Sequence, residues 1–385
     1  MPMTNPAKSD EDVPDGEPTR LGGDAASSPH ESPDERVHYL VVVDGIEPGR
    51  RIQIGSAATI TIGRAAPAEV VLHDPEISRA HCRVECLGFD MLITDLGSTN
   101  GTFIDGKRVQ GAARIANGGI LRIGRQLMRY ELRNRREVAA TEEMERDLSA
   151  ARSYVESLLP ARLTMGPVRT DWLFEPSTRI GGDALGYHAI DEHHFALYVM
   201  DVAGHGAGAA LHAASVINVM RKQALPGVDM REPSQVLRGL NAMFPMQEYG
   251  DMYFTAWYGV YLKRKRQLRY CSGGHHPGYL VGPNRDKALP LETRNLMLGA
   301  RLDHTYLGAE TKVLAGSRLY LFSDGVFEVE TAGGVQYGLD DFLPLLLAPK
   351  SEARSEPQRL LGEVRRLTRR GSFEDDLTLL VVTFV

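Results

Sequence analysis

A polar run from Asn134 to Pro160 with a helical pattern divides this chain of 385 residues into two stretches of different texture. Over residues 37–133, short β-type runs such as 38–43 and 91–94 alternate with Gly, Pro, Asp and Asn clusters, and no long helical pattern interrupts them. Beyond Pro160, strand-like runs at 195–200, 255–262, 268–271 and 318–322 surround helical stretches at 207–224, 233–244 and 357–370, and a last strand is expected at 377–385. Adjacent strands without intervening helices argue for antiparallel pairing in that second part. A chain of this length also exceeds what one hydrophobic core organises, so two domains are expected.

The first stretch is predicted to be an all-β sandwich. Its Asp105-Gly106 step, between Thr102-Phe103-Ile104 and Lys107-Arg108-Val109, predicts a two-residue hairpin, because such turns need positive φ. In the dividing run, Met144, Leu148, Ala151, Val155 and Leu158 are spaced alternately by four and three, the seam of a heptad helix. Glu142 and Arg146 stand in the favourable i,i+4 order, and Pro160 stops the pattern. Two readings stay open: residues 137–159 pair two copies into a homodimer, or the seam packs on the segment that follows.

Bulk properties narrow the partners. Hydrophobic residues at 43% and charged residues at 24% match ordinary globular material. A net charge of −6 lacks the footprint of a nucleic-acid binder; of the basic runs 133–136 and 263–266 the second, between two strand-like runs, reads as a solvated hairpin turn, and neither is assigned a binding role. Cys82, Cys86 and Cys271 are odd in number and lack paired metal spacing, which points to a reducing compartment. With no apolar signal segment and no membrane-spanning run, the expected location is cytoplasmic. Residues 1–36, rich in Pro, Gly, Ser, Asp and Glu, are expected to form a disordered tail.

Four aspartates lie beside glycine or at the end of an apolar run: Asp183, Asp201, Asp324 and Asp375. A carboxylate at such a place is costly to bury, so each is either a turn or cap residue or one of a converging set that asks for a cation. Oxygen-only donors suit Mg²⁺ or Mn²⁺. Two such ions activate water for direct phosphoester hydrolysis.

The ordered motifs 158–160, Gly181-Gly182-Asp183, Asp201-Val202-Ala203-Gly204-His205-Gly206, Gly274-His275, Ser323-Asp324-Gly325 with Glu328, and Asp375-Asp376-Leu377-Thr378 resemble the SpoIIE/RsbU-type branch of the metal-dependent (PPM) protein phosphatases over residues 161–385. The resemblance implies an α-β-β-α sandwich, an α+β fold, holding two Mn²⁺ or Mg²⁺ ions. It assigns Asp201 as the bridge between them, Asp183 and the Val202 carbonyl to one ion, and Asp324 and Asp375 to the other. Where that family commonly has a second acid three residues after the Gly-Gly-Asp aspartate, this chain has Gly186. His205 is either a proton donor to the leaving oxygen or a residue that orients its turn. The doublets His193-His194 and His275-His276 read as structural.

In the β-rich stretch, Gly63-Arg64, Ser78-Arg79 with His81, and the run Gly97 to Thr102 resemble a forkhead-associated (FHA) domain over residues 37–133. By that resemblance Arg64 and Ser78 bind phosphate, Asn100 binds the peptide main chain, Thr99 or Arg79 assists, and His81 and Gly63 are scaffold. The resemblances together imply a protein serine/threonine phosphatase acting on a small phosphorylated anti-sigma-factor antagonist, with a phosphothreonine-bearing partner on the FHA module. The alternative is a catalytically silent scaffold. A kinase reading fails for want of a Walker loop or kinase catalytic motif.

Overall fold

A computed structural model describes residues 35–385 apart from 178–179, 332, 352, 368–372 and 374. The expected tail at 1–36 lies outside the described residues except for its last two. The chain separates into two compact units, the first ending at Glu142 and the second beginning at Glu143.

The first unit is a sandwich of two sheets. One runs in the order β2 (Arg51–Ile54), β1 (Arg36–Asp44), β11 (Gln126–Asn134), β10 (Ile120–Ile123), β7 (Thr102–Ile104) and β8 (Lys107–Arg108). The other runs β4 (Val70–Val71), β3 (Thr59–Gly63), β5 (Cys82–Leu87), β6 (Asp90–Asp95) and β9 (Ala112–Ile115). Alternation along β1 sends Leu40 and Val42 into the core with Ile62, Val84 and Ile93 of the facing sheet. The opposite face of β1 presents Val37, Tyr39 and Val41, against which Val138 packs. The expected hairpin is present: Asp105 and Gly106 take φ of 49° and 78°, and Ile104 pairs with Lys107.

Val138 belongs to α1 (Arg135–Leu158), the helix expected in the dividing run. Val155 and Leu158 are buried, and Leu148 and Ala151 pack beside them, in the core of the second unit. Met144 is 65% exposed. The C-terminal half of the seam is thus spent on this chain's own core.

The second unit stacks four layers around two antiparallel sheets. The first sheet runs β13 (Asp183–Ala189), β14 (His194–Val202), β15 (Phe254–Leu262), β16 (Gln267–Gly273) and β19 (Ala309–Lys312). The second runs β12 (Val168–Glu175), β23 (Leu377–Phe384), β20 (Arg318–Phe322), β17 (Gly278–Val281) and β18 (Ala288–Leu291). A short hairpin of β21 (Val329–Glu330) and β22 (Gln336–Tyr337) stands apart. Leu185, Leu197, Val199 and Trp257 meet Leu319, Leu321, Leu380 and Val382 between the sheets.

The other face of β14, with Ala196, Tyr198 and Met200, packs under α2 (Ala207–Arg221) and α3 (Pro233–Met243). The other face of β20 and β23, with Tyr320, Phe322 and Leu379, packs under α4 (Leu339–Leu347) and α5 (Glu356–Leu367). Both faces of each sheet are covered, which is why β14 and β15 read as near-continuous apolar runs. Alanine-rich α2 forms readily and lets its buried Ala209, Ala210 and Ala213 approach the sheet closely. It stops at Arg221, short of the expected 224, because Gln223 takes φ of 51°.

Candidate metal centre and phosphopeptide site

Strand parity decides where the aspartates point. On β13 and β14, Leu185, Tyr187, Leu197 and Val199 face the opposing sheet, and counting by two extends that face to Asp183 and Asp201. The two are direct partners in the antiparallel register, so their carboxylates stand side by side. On the facing sheet the same count from Leu321 and Leu380 reaches Ser323 and Thr378, and Asp324 follows at once.

The electrostatics are those of acids crowded together, from buried Asp183 through half-buried Asp201 and Asp324 to exposed Asp375. Burial, then the charge of Asp201, drives the Asp183 carboxyl well above the ordinary range. Asp183 is 1% exposed, and its Oδ2 is buried without a hydrogen-bond partner. Burial and then Asp324, Asp375 and Asp376 raise Asp201 to about 7. Asp375 is raised by burial first, then by Asp324 and Asp376, while His205 opposes the shift. Glu328, too, is raised by burial and then by Asp324 and Asp375. The four expected aspartates are therefore one electrostatic cluster.

Among the described residues, no three such side chains are drawn into a ready-made cation cage. The donor chemistry nonetheless fits a hard divalent ion: carboxylates only, one of them with an orphaned buried oxygen, with Asp183 and Asp201 raised by burial first and then by neighbouring acids. Val202 is buried at the end of β14, and its N–H donates to the Gly182 carbonyl at 3.3 Å. His205 is exposed on the turn between β14 and α2.

Asp376 was missed as a functional residue by sequence reasoning, and it organises the edge. Its Oδ1 accepts from the Ser177 N–H at 2.8 Å and the Ser177 hydroxyl at 3.0 Å, and its Oδ2 accepts from the Gly182 N–H at 2.7 Å. The side chain thereby ties the segment before Asp183 to the head of β23. Gly181 is required there, since a Cβ would lie 2.3 Å from Asp376 Oδ2. At Gly186 a Cβ would lie 2.2 Å from the Tyr198 hydroxyl, so an acid at this position would displace that buried ring. Of the histidine doublets, His194 Nδ1 lies 2.8 Å from Asp191, and His276 packs on Phe322 and Phe327. Burial first, then His276, pushes His275 down to about 3.

In the first unit, the phosphopeptide candidates lie on three neighbouring loops. Arg64 follows β3, and its N–H donates to the Ser78 carbonyl at 3.0 Å. The Ser78 hydroxyl accepts from the Thr99 N–H at 3.1 Å. Asn100 Nδ2 donates to the Glu76 carbonyl at 2.8 Å. Arg64, Arg79, Thr99 and Asn100 are exposed. Beneath them, buried His81 accepts from the Ser78 N–H at 3.0 Å and reaches the Gly101 carbonyl at 3.2 Å. Burial would raise Asp95, but hydrogen bonds from Ser98, Thr102 and the Gly97 and Ser98 N–H groups hold it low and fix the 97–102 loop. Asp95 and Glu76 are supports that the sequence reading did not single out.

The family described as stage II sporulation protein E (SpoIIE) matches residues 191–385, just over half of the chain. The chain belongs to that family. The FHA domain family matches residues 60–124, so this SpoIIE-family chain also carries an FHA domain. Phosphoserine phosphatase RsbU of Bacillus subtilis (strain 168) is 32% identical over 160 residues, covering 41% of this chain and 46% of that protein. FHA domain-containing protein FhaB of Mycobacterium tuberculosis is 41% identical over 87 residues, covering 23% of this chain and 56% of that protein. The chain spans about half the length of these curated relatives. The SiaA-PP2C domain of Pseudomonas aeruginosa superposes with a TM-score of 0.57 at 21% identity, covering 64% of this chain and 99% of that one, and it shares the fold. The multidomain architecture is thus an FHA sandwich followed by a SpoIIE-type α-β-β-α phosphatase fold.

Among the described residues no helix is long and apolar enough to cross a membrane. The three cysteines are buried and free, and burial pushes Cys82 up to about 12 and Cys271 up to about 11.

Proposed function

We propose that the chain hydrolyses phosphoserine or phosphothreonine on a signalling protein, with two divalent cations at the Asp183, Asp201, Asp324 and Asp375 edge. The observation that carries this reading is the register pair of buried Asp183 and half-buried Asp201, two carboxylates side by side, with Asp183 Oδ2 unpartnered. Phosphatases of this family depend on Mg²⁺ or Mn²⁺. Asp201 would bridge the ions, Asp183 and the Val202 carbonyl would serve one, and Asp324 and Asp375 the other. When bound, they supply Lewis acidity that lowers the pKa of water and offsets charge on the phosphoryl oxygens.

The chain's own residues do the rest. Asp376 holds the Ser177 and Gly182 backbone N–H groups, so that Asp183 follows a residue anchored to the head of β23. His205, exposed and near enough to Asp375 to oppose the rise of its carboxyl, would give a proton to the leaving serine oxygen.

The domain assignment proposed is 37–133 for phosphothreonine binding, 134–160 as helical connection and 161–385 for catalysis. Arg64 and Ser78 would hold the phosphate, Asn100 the peptide backbone, and Thr99 and Arg79 would assist. The likeness to RsbU supports an anti-sigma-factor antagonist as substrate. Homodimerisation through 137–159 would use the exposed half of the seam around Met144. The test is substrate capture: immobilised Asp201→Asn chain should retain a phosphorylated antagonist in the presence of Mn²⁺ and release none of its phosphate. Equal hydrolysis by parent and variant sinks the reading.

A further inference from the structure

At the far end of β20 from Asp324, the second unit gathers four cations around one carboxylate. Glu356, the first residue of α5, is 9% exposed. Its Oε1 accepts from Arg285 Nη2 at 2.6 Å, Arg359 Nη2 at 2.9 Å and the Tyr320 hydroxyl at 2.8 Å. Its Oε2 accepts from Arg359 Nε at 3.2 Å and lies 3.8 Å from Arg318 Nη1. Burial alone would raise this carboxyl, but the Arg359, Arg285 and Tyr320 hydrogen bonds hold it down to about 2.

The charge does not close. The side chains of Arg285, Arg318 and Arg359 are 12%, 15% and 9% exposed, and Glu356 is the acid with which all three pair among the described residues. Three guanidinium groups less one carboxylate leave two positive charges. Arg285 Nε, Arg285 Nη1 and Arg318 Nη1 are buried without a hydrogen-bond partner, although such donors are ordinarily satisfied. Arg285 also holds φ of 56°, an uncommon backbone for a residue with a side chain, on the turn between β17 and β18.

Exposed Lys350, between α4 and α5, adds a fourth cation. Its ammonium is pushed down by Arg318 first, then by burial and Arg285, with Glu356 opposing. The field there is therefore net positive despite the glutamate. Uncompensated buried charge is among the costliest features a fold carries, and a mobile anion relieves it as well as a second acid would.

We propose that Arg285, Arg318, Arg359 and Lys350 form a receptor for a phosphate dianion, separate from the carboxylate edge. The surplus of two charges among the three guanidinium groups matches a dianion, Lys350 adds one more positive charge on the exposed rim, and a tetrahedral phosphate accepts the several N–H groups that guanidinium forks present. Bound there, it clamps the β17–β18 turn, the head of β20 and the α4–α5 connection together. Inorganic phosphate and a small phosphomonoester offer the same chemistry.

The test uses the full chain, freed of divalent cations by chelation so that the carboxylate edge stays acidic and repels anions. Unfolding is followed by tryptophan fluorescence at about pH 8, where phosphate is a dianion. Both tryptophans, Trp172 and Trp257, lie in the second unit. Titration with sodium phosphate or with glycerol 3-phosphate should raise the unfolding midpoint with the logarithm of anion concentration once that exceeds the apparent Kd, and sodium chloride at matched ionic strength should not.

Arg318→Gln leaves Glu356 its Arg285 and Arg359 partners. Its midpoint in anion-free buffer should equal or exceed that of the parent, and its apparent anion affinity should fall at least tenfold. Lys350→Gln, on the exposed rim, should weaken the response several-fold. A stronger response to glycerol 3-phosphate assigns the site to small phosphomonoesters, and a stronger one to phosphate assigns it to the free ion. No response to either beyond that of sodium chloride, or an undiminished response in both variants, overturns the proposal.

Discussion

The Asp201 carboxyl gives the sharpest physical consequence of the acidic edge. An ordinary aspartate titrates near 3.8, whereas this one is raised to about 7. The native chain therefore keeps its proton through a pH range in which the unfolded chain has lost it. Native protein binds more protons than unfolded protein between about pH 4 and 7, so stability falls as pH rises through that window. The penalty is absent below the unfolded value and complete above the folded one. Three units at about 1.4 kcal/mol each make it roughly 4 kcal/mol for the cation-free chain.

Asp201→Asn removes the ionisation and keeps the shape. In chelator, urea unfolding followed by tryptophan fluorescence should find the variant more stable than the parent at pH 8, by up to about 4 kcal/mol. The gap should shrink towards zero near pH 4. Saturating Mn²⁺ should stabilise the parent far more than the variant, because the cation supplies the missing countercharge. Equal stabilities in chelator at pH 8, or a gap independent of pH, would refute the crowded-carboxylate account.

Other outcomes follow from the same geometry. Arg64→Ala should weaken binding of a phosphothreonine peptide by about 1.5–3 kcal/mol, read by fluorescence anisotropy, with no binding of the unphosphorylated peptide by either protein. Asp376→Ala deletes three hydrogen bonds to a buried carboxylate, so it should cost more than about 3 kcal/mol of second-unit stability by urea titration. Met144→Glu should abolish dimerisation in sedimentation experiments without lowering stability. Leu148→Glu should abolish dimerisation and also lower stability, because Leu148 packs on the core; a parent chain that sediments as a monomer refutes the pairing.

Much of the acidic edge was legible because an apolar strand that ends in Asp is a rare pattern with few physical explanations. Residues 195–200 ahead of Asp201 and 318–322 ahead of Asp324 showed both the strand and the acid at its end. Asp376 was not legible, since its partners Ser177 and Gly182 are nearly two hundred positions away and the adjacent Asp375 drew the attention. Strand β13 was missed because Asp-Ala-Leu-Gly-Tyr-His-Ala lacks β-branched residues and takes its place by pairing along the whole of β14. Pro290 disguised β18, and Pro344 disguised α4. The seam of α1 was read correctly as helix, but spacing could not tell that Val155 and Leu158 would be buried in the chain's own core. The arginine cluster escaped notice altogether, because Arg285, Arg318 and Arg359 meet only once β17, β20 and α5 are assembled.

The central claim is that the edge carboxylates act by holding divalent cations for phosphoester hydrolysis. Phosphate release from an aryl phosphate, measured on the chelated full chain as Mn²⁺ or Mg²⁺ is restored, tests it most directly. The account predicts no turnover without cation, saturable recovery in the parent, and a loss of at least a hundredfold in Asp324→Asn at every cation concentration, in proportion to the several kcal/mol a bound metal contributes. Turnover that survives exhaustive chelation, or an Asp324→Asn chain as fast as the parent, would contradict it.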